Sequence, residues 1–271
     1  MSFIDKIKEC WSSKNSLLCV GLDPDINKIP EHLKESDHPI LEFTRLIVDA
    51  THDLVCAYKP QIAYFSAFRA EDELEMTIKY IHDSYPDIPV ILDAKRGDIG
   101  STAEMYSLEA FDRYKADAVT INPYLGGDTL RPFLDKKEKG IILLCRTSNP
   151  GAKDIQDIES NGEKLYRIIA KRAAEEWNYN GNIMLVMGAT YPEELKDIRR
   201  ITGDIPFLVP GIGAQGGDVK KAVKNGITSD KTGMVINSSR GIIYAGSGKN
   251  FTDAARRAAI QLRDEINKYR V

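Results

Sequence analysis

Short apolar runs alternate along this chain with longer stretches in which apolar positions recur every three or four residues. "SLLCVGL" precedes "ILEFTRLIVDATHDL", "VCAYKPQIAYF" precedes "EDELEMTIKYIHDSY", and "PVILDAK" precedes "STAEMYSLEAFDRY". The same order continues through "DAVTINPYL", "GIILLCRTS", "NIMLVMGAT", "PFLVPGIG" and "GMVINSSRG", each followed by a helical stretch, which makes eight βα units. Strands that are nearly continuous hydrophobic runs need cover on both faces, and a parallel sheet receives that cover from its helices. Closing the sheet leaves no edge, so the pattern predicts one (β/α)8 TIM barrel spanning residues 1–271, with a doubly wound open sheet as the alternative. No linker, repeat or low-complexity tract divides the chain.

Composition narrows the partners. With 37 Lys and Arg against 40 Asp and Glu, the net charge of -3 is too slight to draw nucleic acid or an anionic membrane by its bulk field, so an anionic ligand must be captured locally. Cys10, Cys19, Cys56 and Cys145 stand singly and far apart, a spacing that suggests neither a zinc site nor a disulfide framework. No run approaches 18 apolar residues, and the amphipathic start "MSFIDKIKECW" is unlike a signal or transit peptide, so a cytoplasmic setting is expected. His32, His38, His52 and His82 all fall in helical stretches or the loops before them. Lysines and aspartates are therefore left to carry the ionic chemistry, with no metal site expected.

In such a barrel the chemistry belongs to the carboxyl ends of the strands. Asp23 and Asp25 end the first strand, Lys59 and Gln61 lie in the second, and Asp93 and Lys95 end the third; Asn122, Ser148 and Arg240 follow on the fourth, fifth and eighth. On an extended strand Asp93 and Lys95 share one face and Ala94 takes the other. Asp23 and Lys59 then complete an alternating array of two acids and two amines. At about 4 Å each unit pair contributes on the order of 4 kcal/mol at an effective dielectric near 20, and the acids keep the ammonium groups protonated. A structural ion pair is the alternative for any one of these residues. It is a poor account of the whole set, because desolvating paired charges costs several kcal/mol per ion. Gly97 is expected to turn the chain after the strand.

Two late loops, "VPGIGAQGGD" and "INSSRG", follow strands seven and eight, from which barrels commonly build a phosphate site. Gly211, Gly213, Gly216 and Gly217 let backbone amides approach an anion, Arg240 supplies a permanently charged fork, and Gln215 a neutral donor. Neither a Walker sequence nor a Rossmann fingerprint is present.

Taken together, "GLDPD", "YKPQ", "DAKRGDIGSTA", "INPYLGGD", "TSNPGA", "PGIGAQGGD" and "NSSRGI" resemble, in order and over nearly the whole chain, the orotidine 5'-phosphate decarboxylases, in particular their longer subgroup. The resemblance implies decarboxylation of orotidine 5'-monophosphate to uridine 5'-monophosphate, the last step of pyrimidine nucleotide synthesis, without a cofactor. It implies that Asp23, Lys59, Asp93 and Lys95 form the charged network and that Lys95 protonates C6 of the ring. It further implies that Asp98, with Ile99 and Thr102, reaches into the site of a partner subunit in a homodimer. Gln215 and Arg240 would hold the 5'-phosphate, the Ser148 region would read the pyrimidine amide edge, and Asp23 and Lys59 would meet ribose hydroxyls. Gln61 and Asn122 lie where that family varies.

Two rivals remain on sequence. Magnesium-dependent sugar-phosphate decarboxylases and aldolases of related architecture place a metal-binding acid on strand two, where this chain has Lys59. A silent phosphate-ligand binder would keep the glycine-rich loop and Arg240 but has little need to bring Asp93 near an anion.

Overall fold

The computed structural model describes residues 1–212 and 218–270. Eight strands form one sheet: β1 (Leu18–Leu22), β2 (Ala57–Pro60), β3 (Ile91–Arg96), β4 (Ala118–Ile121), β5 (Gly140–Arg146), β6 (Ile183–Met187), β7 (Phe207–Val209) and β8 (Met234–Ser238). They are ordered β2-β1-β8-β7-β6-β5-β4-β3, every neighbour parallel. Parallel bridges Tyr58↔Val90 and Gln61↔Asp93 join the two ends, so the sheet closes into the expected (β/α)8 barrel. Every residue of β1, β2, β4, β6, β7 and β8 is buried, as the continuous apolar runs require. In β3 burial ends after Asp93. No helix among the described residues is long and apolar enough to cross a membrane, and all four cysteines are buried thiols.

The structure redraws one sequence segment and adds a hairpin. "VCAYKPQIAYF" is not one element: β2 stops at Pro60, which cannot donate to a ladder, and a short helix Ile62–Ser66 follows. Before the helix Leu165–Arg172, Glu159–Ser160 and Glu163–Lys164 pair as a small antiparallel hairpin. Its turn residues, Asn161 (φ 54°) and Gly162 (φ 74°), are both left-handed, the Asn-Gly chemistry of a tight two-residue turn.

At the amino-terminal end of the barrel, Asp117 ties three segments together. Its Oδ1 accepts from Lys6 Nζ at 2.9 Å, and its Oδ2 lies 2.9 Å from His82 Nε2 and 2.8 Å from the Val90 N–H. Burial pushes this carboxyl up, but the hydrogen bonds from His82 and Val90 and the nearby Lys6 outweigh it and hold the pKa at about 2, below the usual 3.8. A depressed carboxylate stabilises the fold above its unfolded pKa and loses that contribution as pH falls through the folded value. Asp117→Asn is therefore expected to lower unfolding free energy by about 2 kcal/mol at neutral pH, with turnover unchanged. Urea titrations at a series of pH values should show the gap between the two proteins closing from about pH 4 to pH 2. A gap that does not depend on pH would refute the assignment.

Candidate active site

The carboxyl ends of the strands surround a cavity of about 410 Å3, within the usual range for small-molecule sites. Asp93 lines it and gathers its polar groups. One carboxylate oxygen, Oδ1, accepts from Lys95 Nζ at 2.6 Å and Thr120 Oγ1 at 2.9 Å; the other, Oδ2, accepts from Lys59 Nζ at 2.8 Å and Gln61 Nε2 at 3.1 Å. Four donors thus saturate one acid, and Gln61, a residue without a clear role on sequence, joins it across the barrel closure.

The charges fix one another. Burial by itself would push Asp93 up, but the Lys59 and Lys95 ammonium groups dominate and hold it well below the ordinary carboxylate range. Lys59, its side chain 5% exposed, would be pushed down by burial, yet Asp93 and Asp23 raise it. Both groups stay ionised across the physiological range. Lys95 differs in being 48% exposed, with its amine at the mouth rather than in the wall.

Asp23 lines the same cavity but forms no salt bridge with either lysine, which corrects the alternating array expected from sequence: the ionic cluster is Lys59–Asp93–Lys95. The Oδ1 of Asp23 is buried without a hydrogen-bond partner among the described residues, and so is Ser239 Oγ on the β8 loop. An orphaned carboxylate oxygen and an orphaned hydroxyl lining one cavity suit a ligand that brings hydroxyl groups.

The strand reasoning also needs correction. β3 is not extended through its end. Ile91 and Leu92 pair with Ala118 and Val119, and the ladder resumes only with Arg96 opposite Ile121, so Asp93, Ala94 and Lys95 lie opposite the single residue Thr120. Within this bulge Lys95 adopts φ 48°, left-handed backbone that costs a non-glycine residue roughly 1–2 kcal/mol. The two side chains meet because the chain folds back, not because they alternate. Around the turn expected at Gly97, where the strand ends, the left-handed positions are Lys95 and Gly100 (φ 51°).

Ser148 and Arg240 also line the cavity. The Ser148 loop is held from beneath by Arg146, 1% exposed, which binds Glu194 at 2.6 Å and Asp157 at 3.1 Å and lies between the rings of Tyr166 and Tyr191. It is seated on Gly188: a Cβ there would come within 2.9 Å of the Ser148 backbone nitrogen, so only glycine permits this approach. Gly211 and Ile212 after β7 and Ser238 to Gly241 at the end of β8 line it as well. Gln215, Gly213, Gly216 and Gly217 lie outside the described residues.

Asp98, Ile99 and Thr102 do not line this cavity. Asp98 Oδ1 accepts from the Ile99 N–H at 2.8 Å, and Ile99 is 63% exposed on the outer surface beside the helix Gly100–Leu108. Asn122 Oδ1 accepts from the Tyr124 N–H and faces a separate depression. Sequence reasoning missed Thr120, Ser239 and Arg146. Thr120 carried a signal, being the one hydroxyl in the apolar strand "AVTI".

Comparison with known proteins points one way. The family model described as Orotidine 5'-phosphate decarboxylase / HUMPS family matches residues 16–256. The chain is 60% identical to an orotidine 5'-phosphate decarboxylase of Dechloromonas aromatica and 56% identical to that of Ralstonia pickettii, each alignment covering 100% of both chains. Among solved structures, Leishmania donovani OMP decarboxylase superposes with a TM-score of 0.87 at 39% identity, covering 100% of this chain and 99% of that one. Leishmania donovani UMP synthase gives a TM-score of 0.89 at 40% identity, with 100% of this chain matched to 57% of that longer chain.

Proposed function

The chain belongs to the orotidine 5'-phosphate decarboxylase family, carboxy-lyases that convert orotidine 5'-monophosphate to uridine 5'-monophosphate, and from that premise we propose how its cavity performs the reaction. The observation that carries the reading is the pair of amines held on the one carboxylate of Asp93, one sunk in the wall and one projecting at the mouth. Decarboxylation breaks the bond between C6 and the carboxyl carbon and leaves the electron pair on C6, an sp2 centre with no conventional electron sink. A fixed ammonium beside C6 stabilises that charge as it forms and then neutralises it. Lys95 is that group: its Nζ proton passes to C6, CO2 departs, and the amine regains a proton from solvent. Asp93 holds the ammonium in place and crowds the substrate carboxylate, which disfavours the bound substrate more than the transition state.

Lys59 orients Asp93 and, with Asp23, meets the ribose hydroxyls; the orphaned Asp23 Oδ1 supports that role. Ser148 reads the amide edge of the pyrimidine. Arg240, with Gln215, holds the phosphate, whose binding energy is remote from C6 and serves to close the loops over the ring. The enzyme works as a cytoplasmic homodimer in which Asp98, Ile99 and Thr102 enter the partner's site. Exposed Ile99, Met105 and Leu108, which follow Asp98 in the chain, support a covered face there. No metal or organic cofactor is needed, since Lys95 supplies the positive charge.

The loss of ultraviolet absorbance of orotidine 5'-monophosphate on addition of purified enzyme tests this reading. Turnover is expected to be equal before and after treatment with a chelator, and activity restored only by a divalent cation would overturn it.

A further inference from the structure

We propose that Thr120 is a positioning residue for the reaction, its hydroxyl holding both the Asp93 carboxylate and the left-handed backbone of Lys95. The inference rests on the reading of Lys95 as proton donor and extends it to Thr120, which borders the same cavity and acts through Asp93 and Lys95.

A threonine hydroxyl has one proton to give and two lone pairs to fill. Here all three are committed to β3. Thr120 Oγ1 donates to Asp93 Oδ1 at 2.9 Å and accepts from the N–H groups of Ala94 at 3.0 Å and Lys95 at 2.9 Å. Those amides are the ones the bulge removes from the ladder, because the register between β3 and β4 is broken from Leu92 to Arg96. Without the hydroxyl two backbone donors next to the cavity lose their partner, and the left-handed turn at Lys95 loses its restraint. The amine of Lys95 is then free to leave the line of C6.

Packing alone does not require this residue. Thr120 is 1% exposed between buried Val119 and Ile121, and valine would fill the same space with equal fitness for a strand. A threonine at this site exchanges apolar fit for three hydrogen bonds, all directed at the segment that carries the acid and the amine.

Four variants separate the outcomes. Thr120→Ser keeps the hydroxyl, Thr120→Val keeps the shape, Thr120→Ala removes both without crowding, and Lys95→Ala tests the reading beneath. We expect Thr120→Ser to stay within about threefold of wild type in kcat, and Thr120→Val and Thr120→Ala to lose roughly 10²-fold in kcat with KM and the affinity for uridine 5'-monophosphate changed less than about threefold, as expected when a reacting group is misplaced by an ångström. Should Thr120→Val fail to fold, the contrast of Thr120→Ala with Thr120→Ser decides alone. Near wild-type kcat in the two hydroxyl-free variants, with Lys95→Ala inactive, overturns the role of Thr120 and leaves that of Lys95 intact. Equal losses of kcat and of nucleotide affinity, unrelieved in Thr120→Ser, also overturn it, since they mark general disruption. An active Lys95→Ala enzyme removes the premise itself.

Discussion

Lys95→Ala is expected to lower kcat by roughly 10⁴-fold or more, the combined loss of a proton donor and of a fixed positive charge at C6. The barrel should remain folded. Lys95 is half exposed, and after its removal Asp93 retains hydrogen bonds from Lys59, Gln61 and Thr120, so no buried charge is left unpaired. Alanine also tolerates φ 48° no better than lysine, so the change brings little relief of backbone strain to confuse the comparison. Absorbance assays of the two proteins, beside their melting temperatures, check the expectation. Comparable rates would falsify the role of the amine.

The second large effect concerns a residue outside the cavity. Asp98→Ala is expected to cost roughly 10²- to 10³-fold in kcat, the scale of losing one preorganised electrostatic contact, even though no part of its own chain's cavity is touched. If Asp98 serves the partner, each subunit supplies half of what two sites need. Co-expression of Asp98→Ala with Lys95→Ala should then regenerate about a quarter of wild-type activity, since random two-fold pairing makes half the dimers mixed and each mixed dimer holds one complete site. Two inactive proteins that remain inactive when co-assembled would show that Asp98 acts within its own subunit or not at all.

Much of the architecture was legible because buried parallel strands have a plain signature: uninterrupted apolar runs, each followed by a helical period. The ionic cluster was legible because charge at the end of such a run is costly without a purpose, which singled out Asp93 and Lys95 on β3 and Lys59 on β2. What could not be read was backbone conformation. Periodicity assumes a regular strand, and nothing in "DAKRG" announces that a lysine, rather than the glycine two places on, takes the left-handed turn. Asp23 was expected to pair with Lys59, whereas the nearer acid, Asp93, engages both amines and leaves Asp23 Oδ1 for other partners. Thr120 escaped notice because hydroxyls on strands are common and its three bonds depend on a register shift visible only in three dimensions. The Asn161–Gly162 hairpin, by contrast, carries a well-marked turn dipeptide in the sequence.

The closure of the barrel bears on how such enzymes lose function. β2 and β3 meet through two isolated backbone bridges, whereas β4 and β5 share a continuous ladder of four pairs. Across that sparse margin Lys59 and Gln61 reach Asp93, so the acid works as a clasp between the second and third strands of the barrel, beside the role proposed for it in the reaction. A descendant that abandoned decarboxylation would still have reason to keep Lys59 and Asp93, which join the two strands, whereas the half-exposed amine at position 95 contributes nothing across that margin.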